Sequence, residues 1–308
     1  MKIATTTGDF DNYVAAGTDV CEKLQMLADS GFRHIDLNMY QVDFEGSPFV
    51  ENTWESWAYD IANTGARLGL DFVQAHGSDS AYDAGELRRR RMDMIANELR
   101  VCKMLGIPGM VVHAVCRPDS AYETFMQANA AFYGELMKAA EETGVAVYAE
   151  NTCAKNNPTC FLLESRDMNE LRDRMNNHPL FGLCWDVGHA HIQGVDQYKA
   201  ILDMGDGLKA VHIHDNLGKD THGQPYSGSC AYDPIVKGLV DSGYNGYFTL
   251  EANSIPAPAG FIGRKPLVLD GVVCDRLLTL PLSLKLRSES LMHDIARYML
   301  ESYGVYES

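Results

Sequence analysis

Eight short apolar runs, rich in β-branched and aromatic residues, alternate with helix-like segments along the chain, and this rhythm constrains the fold more than any other feature. The runs are KIATTTG, RHIDLNMY, DFVQAHG, GMVVHAV, VAVYAEN, FGLCWDVGH, LKAVHIHD and YFTLEAN. Between them the spacing of apolar residues predicts helices over 19–31, Trp54–Leu68, Gly85–Leu105, Tyr122–Thr143, 168–177, Gln197–Met204 and 234–242, with a last helix over 289–303. Strands alternating with helices make a parallel sheet of the α/β class, and eight such units favour closure into a (β/α)8 TIM barrel. The 308 residues then form one domain, 1–308. One stretch breaks the rhythm. Residues 253–283, between strand 8 and the final helix, are Pro-rich and apolar, which fits an ordered segment serving either as a flap over the barrel mouth or as an oligomer contact.

Where the strands end is as informative as their number. Glu150, Asp186, His212 and Glu251 each close a strand-like run and precede loop-like polar residues. In a barrel of this kind the C-terminal strand ends converge on one mouth. His76 and His113 close strands three and four, His189 follows in D-V-G-H, and Asp220 and His222 form a D-x-H in the loop after His212. Any one of these residues alone would read as a helix cap or a hydrogen-bonded core histidine. Acidic or imidazole side chains at six consecutive strand ends, three through eight, are different, because gathered carboxylates repel unless a cation or shared proton intervenes. Carboxylate oxygens with an imidazole nitrogen suit one divalent cation. Such an ion could polarise a sugar carbonyl and stabilise an enediolate while a carboxylate on each face moves a proton.

Other features narrow the alternatives. With 46% hydrophobic and 22% charged residues the composition is that of a soluble globular protein. A net charge of -16 argues against a nucleic-acid partner, and the Arg88–Arg91 run is flanked by Glu86 and Asp93 and is expected to face solvent. No signal-like N-terminus or run of about 18 apolar residues is seen, so no membrane association and a cytoplasmic location are expected. The eight scattered cysteines read as buried, reduced thiols, with Cys153 an apolar filler near the mouth. His212 and His214 share one strand face, which leaves one of them deeper and structural. Trp54, Trp57 and Trp185 are candidates for stacking on a sugar or for the core. Neither G-x-G-x-x-G after the first strand nor G-x-x-x-x-G-K-[ST] occurs, and no G-x-S-x-G suggests acyl transfer. The missing phosphate loop favours an unphosphorylated substrate.

The motifs A-E-N at 149–151, W-D-V-G-H at 185–189, V-H-I-H-D-N at 211–216, D-x-H at 220–222 and T-L-E at 249–251 resemble those of the xylose-isomerase-like barrel superfamily, over about residues 1–252. That superfamily contains sugar isomerases and epimerases, inosose dehydratases and endonuclease IV-type nucleases. The resemblance to its ketose 3-epimerases implies a metal-dependent isomerase of carbohydrate metabolism. In it Glu150, Asp186, His212 and Glu251 would bind one divalent metal, Glu150 and Glu251 would serve as the acid/base pair, and His189 would contact substrate. The resemblance to the nuclease branch implies instead three zinc ions held by all nine positions, with His76, His113, His189, Asp220 and His222 as additional ligands. This chain lacks that branch's P-Y after the strand-three histidine and its Gly-rich turn after Glu150. A lyase or dehydratase acting on an oxidised sugar or glycoside shares the same enolate chemistry. The expected partner is a small sugar, with self-association through the 253–283 insert left open.

Overall fold

The computed structural model describes residues 1–11, 19–40, 44–78, 85–117, 121–153, 159–252 and 265–308. Eight parallel strands close into a barrel in sequence order: β1 Lys2–Thr6, β2 His34–Asn38, β3 Asp71–His76, β4 Gly109–Val112, β5 Ala146–Glu150, β6 Phe181–Asp186, β7 Leu208–Ile213 and β8 Tyr247–Leu250. Closure is made by β1 pairing with β8, Lys2 beside Tyr247 through Thr5 beside Leu250. The helices are α1 Val20–Asp29, α2 Trp54–Leu68, α3 Gly85–Leu105, α4 Tyr122–Thr143, α5 Ser165–Arg174, α6 Val187–Gln193, α7 Gln197–Met204, α8 Tyr232–Asp241 and α9 Leu282–Ser302. The chain is thus a single-domain (β/α)8 TIM barrel, as its alternating pattern predicts.

Local chemistry explains the boundaries. Asp19 caps α1 by accepting from the Cys21 N–H, and α2 and α4 stop at Gly69 and Gly144, both at positive φ, as the Gly signals predict. Helix α5 spans Ser165–Arg174 rather than 168–177, and two further helices differ from expectation. Helix α9 begins at Leu282, seven residues before 289, because Pro281 leads directly into its first turn. The buried pair Lys285–Glu289, one turn apart, then docks that end, with the Lys285 ammonium 5.5 Å from the Phe10 ring. The short α6 was not foreseen, since it starts at the last residue of a strand rather than after a loop.

The core has two compartments. A large one lies between strands and helices and includes Trp185, Phe248, Leu183 and Phe32. Trp185 is therefore core, and Trp54 and Trp57 pack against the same compartment. A small one, Val111, Cys184 and Ala210 with Tyr148 against them, fills the barrel interior. Strand side chains alternate, so residues two further on stay inside. Those are His113, Glu150, Asp186 and His212.

The reading of all cysteines as reduced thiols is corrected. Cys116 and Cys160 form a disulfide, Cα–Cα 5.2 Å, joining the loops after β4 and β5. Their 44-residue separation hides a contact that exists only because adjacent strands place these loops side by side. Cys102, Cys153 and Cys184 are buried thiols as expected, while Cys274 is exposed. No helix among the described residues is long and apolar enough to cross a membrane. Thiol titration of the denatured, unreduced protein should count six groups per chain, rising to eight after reduction; eight before reduction would contradict the Cys116–Cys160 link.

Candidate metal centre and active site

All nine strand-end and loop residues meet at one mouth. Three groups each have ligand atoms within 4.8 Å of one another: Glu150, Asp186, His212 and Glu251; His76, Glu150 and His212, which shares two residues with the first; and His189, Asp220 and His222, which shares none. His113 joins them through Nε2, 2.8 Å from Glu150 Oε2. His212 is central. Its Nδ1 lies 2.8 Å from Glu150 Oε1 and 3.3 Å from Glu251 Oε2, so the two glutamates converge on one nitrogen. Glu150 is buried and Glu251 retains 16% of its side-chain exposure, so Glu251 is the carboxylate that opens to the mouth.

Asp186 does two jobs. Its Oδ1 accepts from the His189 N–H at 2.6 Å, capping α6, and both its oxygens lie 3.0 Å from His214 Nε2. Asn151 holds the same strand end, donating from Nδ2 to the Asp186 carbonyl and accepting the Asp186 N–H. Gly188 has a steric reason. A Cβ there would sit 1.9 Å from the His214 ring, so the V-G-H turn admits that imidazole only without a side chain. His214 stacks on His222 at 4.1 Å. His222 is a non-glycine residue at φ 44°, a strained conformation of the kind that collects at functional sites. Its Nδ1 lies 3.1 Å from the Glu251 carbonyl, and Asp220 bridges His189 and His222 at 3.3 and 3.2 Å.

Sequence reasoning missed several participants. Gln74 donates to Asp36 at 3.0 Å and lies 2.9 Å from His212 Nε2, both inside the barrel. Tyr40 packs edge-on against His76 and His113 at 5.5 and 5.3 Å and forms an aromatic wall of the mouth. Glu98 on α3 braces the loop after His76 by accepting from the backbone N–H and hydroxyl of Ser78; burial lifts its carboxyl to about 7. None of these lies at the end of a strand in a recognisable motif, although the alternation of β2 and β3 places Asp36 and Gln74 inside.

The electrostatics depend on histidine. Every ion-pair partner of Glu150, Asp186 and Glu251 among the described residues is an imidazole. Burial alone would drive the carboxyls up and strip the imidazoles of protons. The pairing outweighs it: Glu150 falls well below the usual range and Asp186 to about 2. His189 and His212 rise well above theirs and His222 to about 10, under the pull of nearby carboxylates, with Cys184 adding to it for His212. Asp36 Oδ1 and Thr249 Oγ1 are buried without a hydrogen-bond partner among the described residues. A cluster of hard oxygen and imidazole donors with unsatisfied polar atoms around it fits a divalent cation.

The family described as xylose isomerase-like TIM barrel matches residues 24–265. A ketose 3-epimerase of Arthrobacter globiformis is 28% identical over 198 residues, 63% of this chain and 65% of that protein. A probable endonuclease 4 of Methanoculleus marisnigri is 26% identical over 126 residues, 41% of this chain and 42% of that protein. The crystal structure of the IolI protein with a bound zinc atom superposes with a TM-score of 0.73 at 16% identity, covering 98% of this chain and 99% of that one.

Two outcomes follow from this geometry. Gly188→Ala should push the His214 ring off Asp186, lowering thermal stability by about 1–3 kcal/mol and weakening metal retention; unchanged melting and metal content would contradict it. Because the free site holds raised-pKa imidazoles, cation binding must displace protons. Titrating manganese into weakly buffered protein should release about one proton or more per ion, with affinity climbing as pH rises from about 6 to 8. Uptake independent of pH would contradict that.

Proposed function

The chain belongs to the xylose isomerase-like TIM barrel family, and from that premise we propose that it is a divalent-metal-dependent sugar isomerase or epimerase of the ketose type. The observation that carries this reading is the convergence of Glu150 and Glu251 on His212 Nδ1, at 2.8 and 3.3 Å. Two carboxylates around one ligand position can remove a proton beside a carbonyl and return one from another direction. The likeness to a ketose 3-epimerase supports the same chemistry.

Glu150, Asp186, His212 and Glu251 would hold the cation. When bound, it supplies the positive charge that offsets the negative charge developing on an enediolate. Glu251, open to the mouth, would take the first proton, and Glu150, enclosed by His76, His113 and His212, would hold the second. His189 and His222, both held through Nε2 by Asp220, border the site, and a substrate oxygen would have to take the place of Asp220 to reach either ring. Tyr40 offers an apolar ring to the C–H face of a sugar.

One observation favours a second reading, a phosphodiesterase with three zinc ions. The His189, Asp220 and His222 group is a further potential ligand set, and the chain is similar to a probable endonuclease 4. The net charge of -16 weighs against a nucleic-acid substrate.

In solvent D2O, the metal-loaded protein should introduce deuterium next to the carbonyl of a ketose. Glu150→Gln and Glu251→Gln should each cut that exchange by about 10²–10⁴-fold with an unchanged circular dichroism spectrum. Full exchange in both variants would refute the acid/base assignment.

A further inference from the structure

Residues 253–264 of the segment after β8 lie outside the described residues, and its described part, from 265 on, is largely exposed. Residues 267–274 form an antiparallel hairpin, β9 Leu267–Leu269 and β10 Val272–Cys274, turned at Asp270 and Gly271 with both at positive φ. Leu267, Val268, Leu269, Val272 and Val273 keep 55–66% of their surface exposed, and Leu277 keeps 94%. Apolar side chains therefore stand exposed on both faces of a two-stranded sheet, and among the described residues no other element pairs with it. Such a hairpin is marginal in water on its own. Together with the turn that follows, it exposes on the order of 700 Å² of apolar surface, more than the few hundred Å² usual for a monomer.

We infer that the hairpin is a self-association arm that pairs with the hairpin of a second copy of this chain, β10 against β10, to make a four-stranded antiparallel sheet. Three observations select this occupant and this edge. The first is charge. The chain carries -16, yet residues 265–281 hold two basic and two acidic side chains, so the arm is the neutral part of a self-repelling surface. The second is complementarity. Asp270 is at the tip, while Lys265 and Arg276 lie opposite each other at the base, in continuation of the Leu267–Cys274 pairing. A two-fold axis through Val273 sets Asp270 beside the partner's Arg276, and the reverse, as a closed isologous contact requires. The third is the other edge. Pro266 precedes β9 and lacks the N–H that a strand partner would need, which leaves β10 as the free edge.

This inference is independent of the sugar chemistry. Sedimentation equilibrium of the intact protein at micromolar concentration should give twice the 34.1 kDa chain mass. Val273→Lys places two like charges across the axis and should raise the dimer dissociation constant by about a hundredfold or more without lowering the melting temperature of the barrel. An equimolar mixture of Val273→Lys and Val273→Glu should restore the dimer. A monomeric wild type, a Val273→Lys dimer of unchanged affinity, or a mixture that fails to associate would each overturn the inference. So would a monomer that floats with phosphatidylcholine vesicles, which would assign the arm to a lipid surface.

Discussion

The structure depends on one constraint: eight parallel strands must close on themselves while their side chains alternate in and out with a period of two. Closure by β1 against β8 fixes the register all round. Val111, Tyr148, Cys184 and Ala210 fill the interior, and the residues two steps beyond them, His113, Glu150, Asp186 and His212, must then point to the same axis. A one-residue slip in any strand would turn its mouth residue outward among the helices. The site is a consequence of the barrel's own geometry, not an addition to its surface.

That geometry creates an electrostatic problem, and histidine answers it. Glu150 and Asp186 are buried with imidazoles as their ion-pair partners. A lysine or arginine there would neutralise the carboxylates permanently. Imidazoles neutralise them conditionally, because they can give up a proton when a cation arrives. The same arrangement brings two glutamates of unequal exposure to His212, which is the asymmetry that a proton donor and acceptor require.

The legible part of the fold was the part written in local periodicity. Helices α2, α3, α4 and α7 have the bounds their apolar spacing predicts, because Gly69 and Gly144 end two of them and the others lie between clear strand signals. The nine ligand candidates were legible because strand ends are visible and barrel mouths gather them. Asp36 and Gln74 were not, since an interior polar residue inside a strand looks like any alternating polar position until the barrel is closed. The expectation that one of His212 and His214 lies deeper is corrected: both are fully buried, His212 against Glu150 and His214 against Asp186. The Cys116–Cys160 link joins loops that only the barrel brings together. The hairpin carried a visible Asp270–Gly271 turn signal, but its strands have no polar face, so the alternation that marks a half-buried strand is absent.

The central claim is that the mouth is built around one divalent cation held by Glu150, Asp186, His212 and Glu251. Elemental analysis of the purified protein, with metal counted per chain, tests it most directly. The account predicts about one manganese, magnesium, cobalt or zinc per chain, lost in Asp186→Ala and His212→Ala. No stoichiometric metal after loading and desalting, or close to three zinc ions per chain, would contradict it.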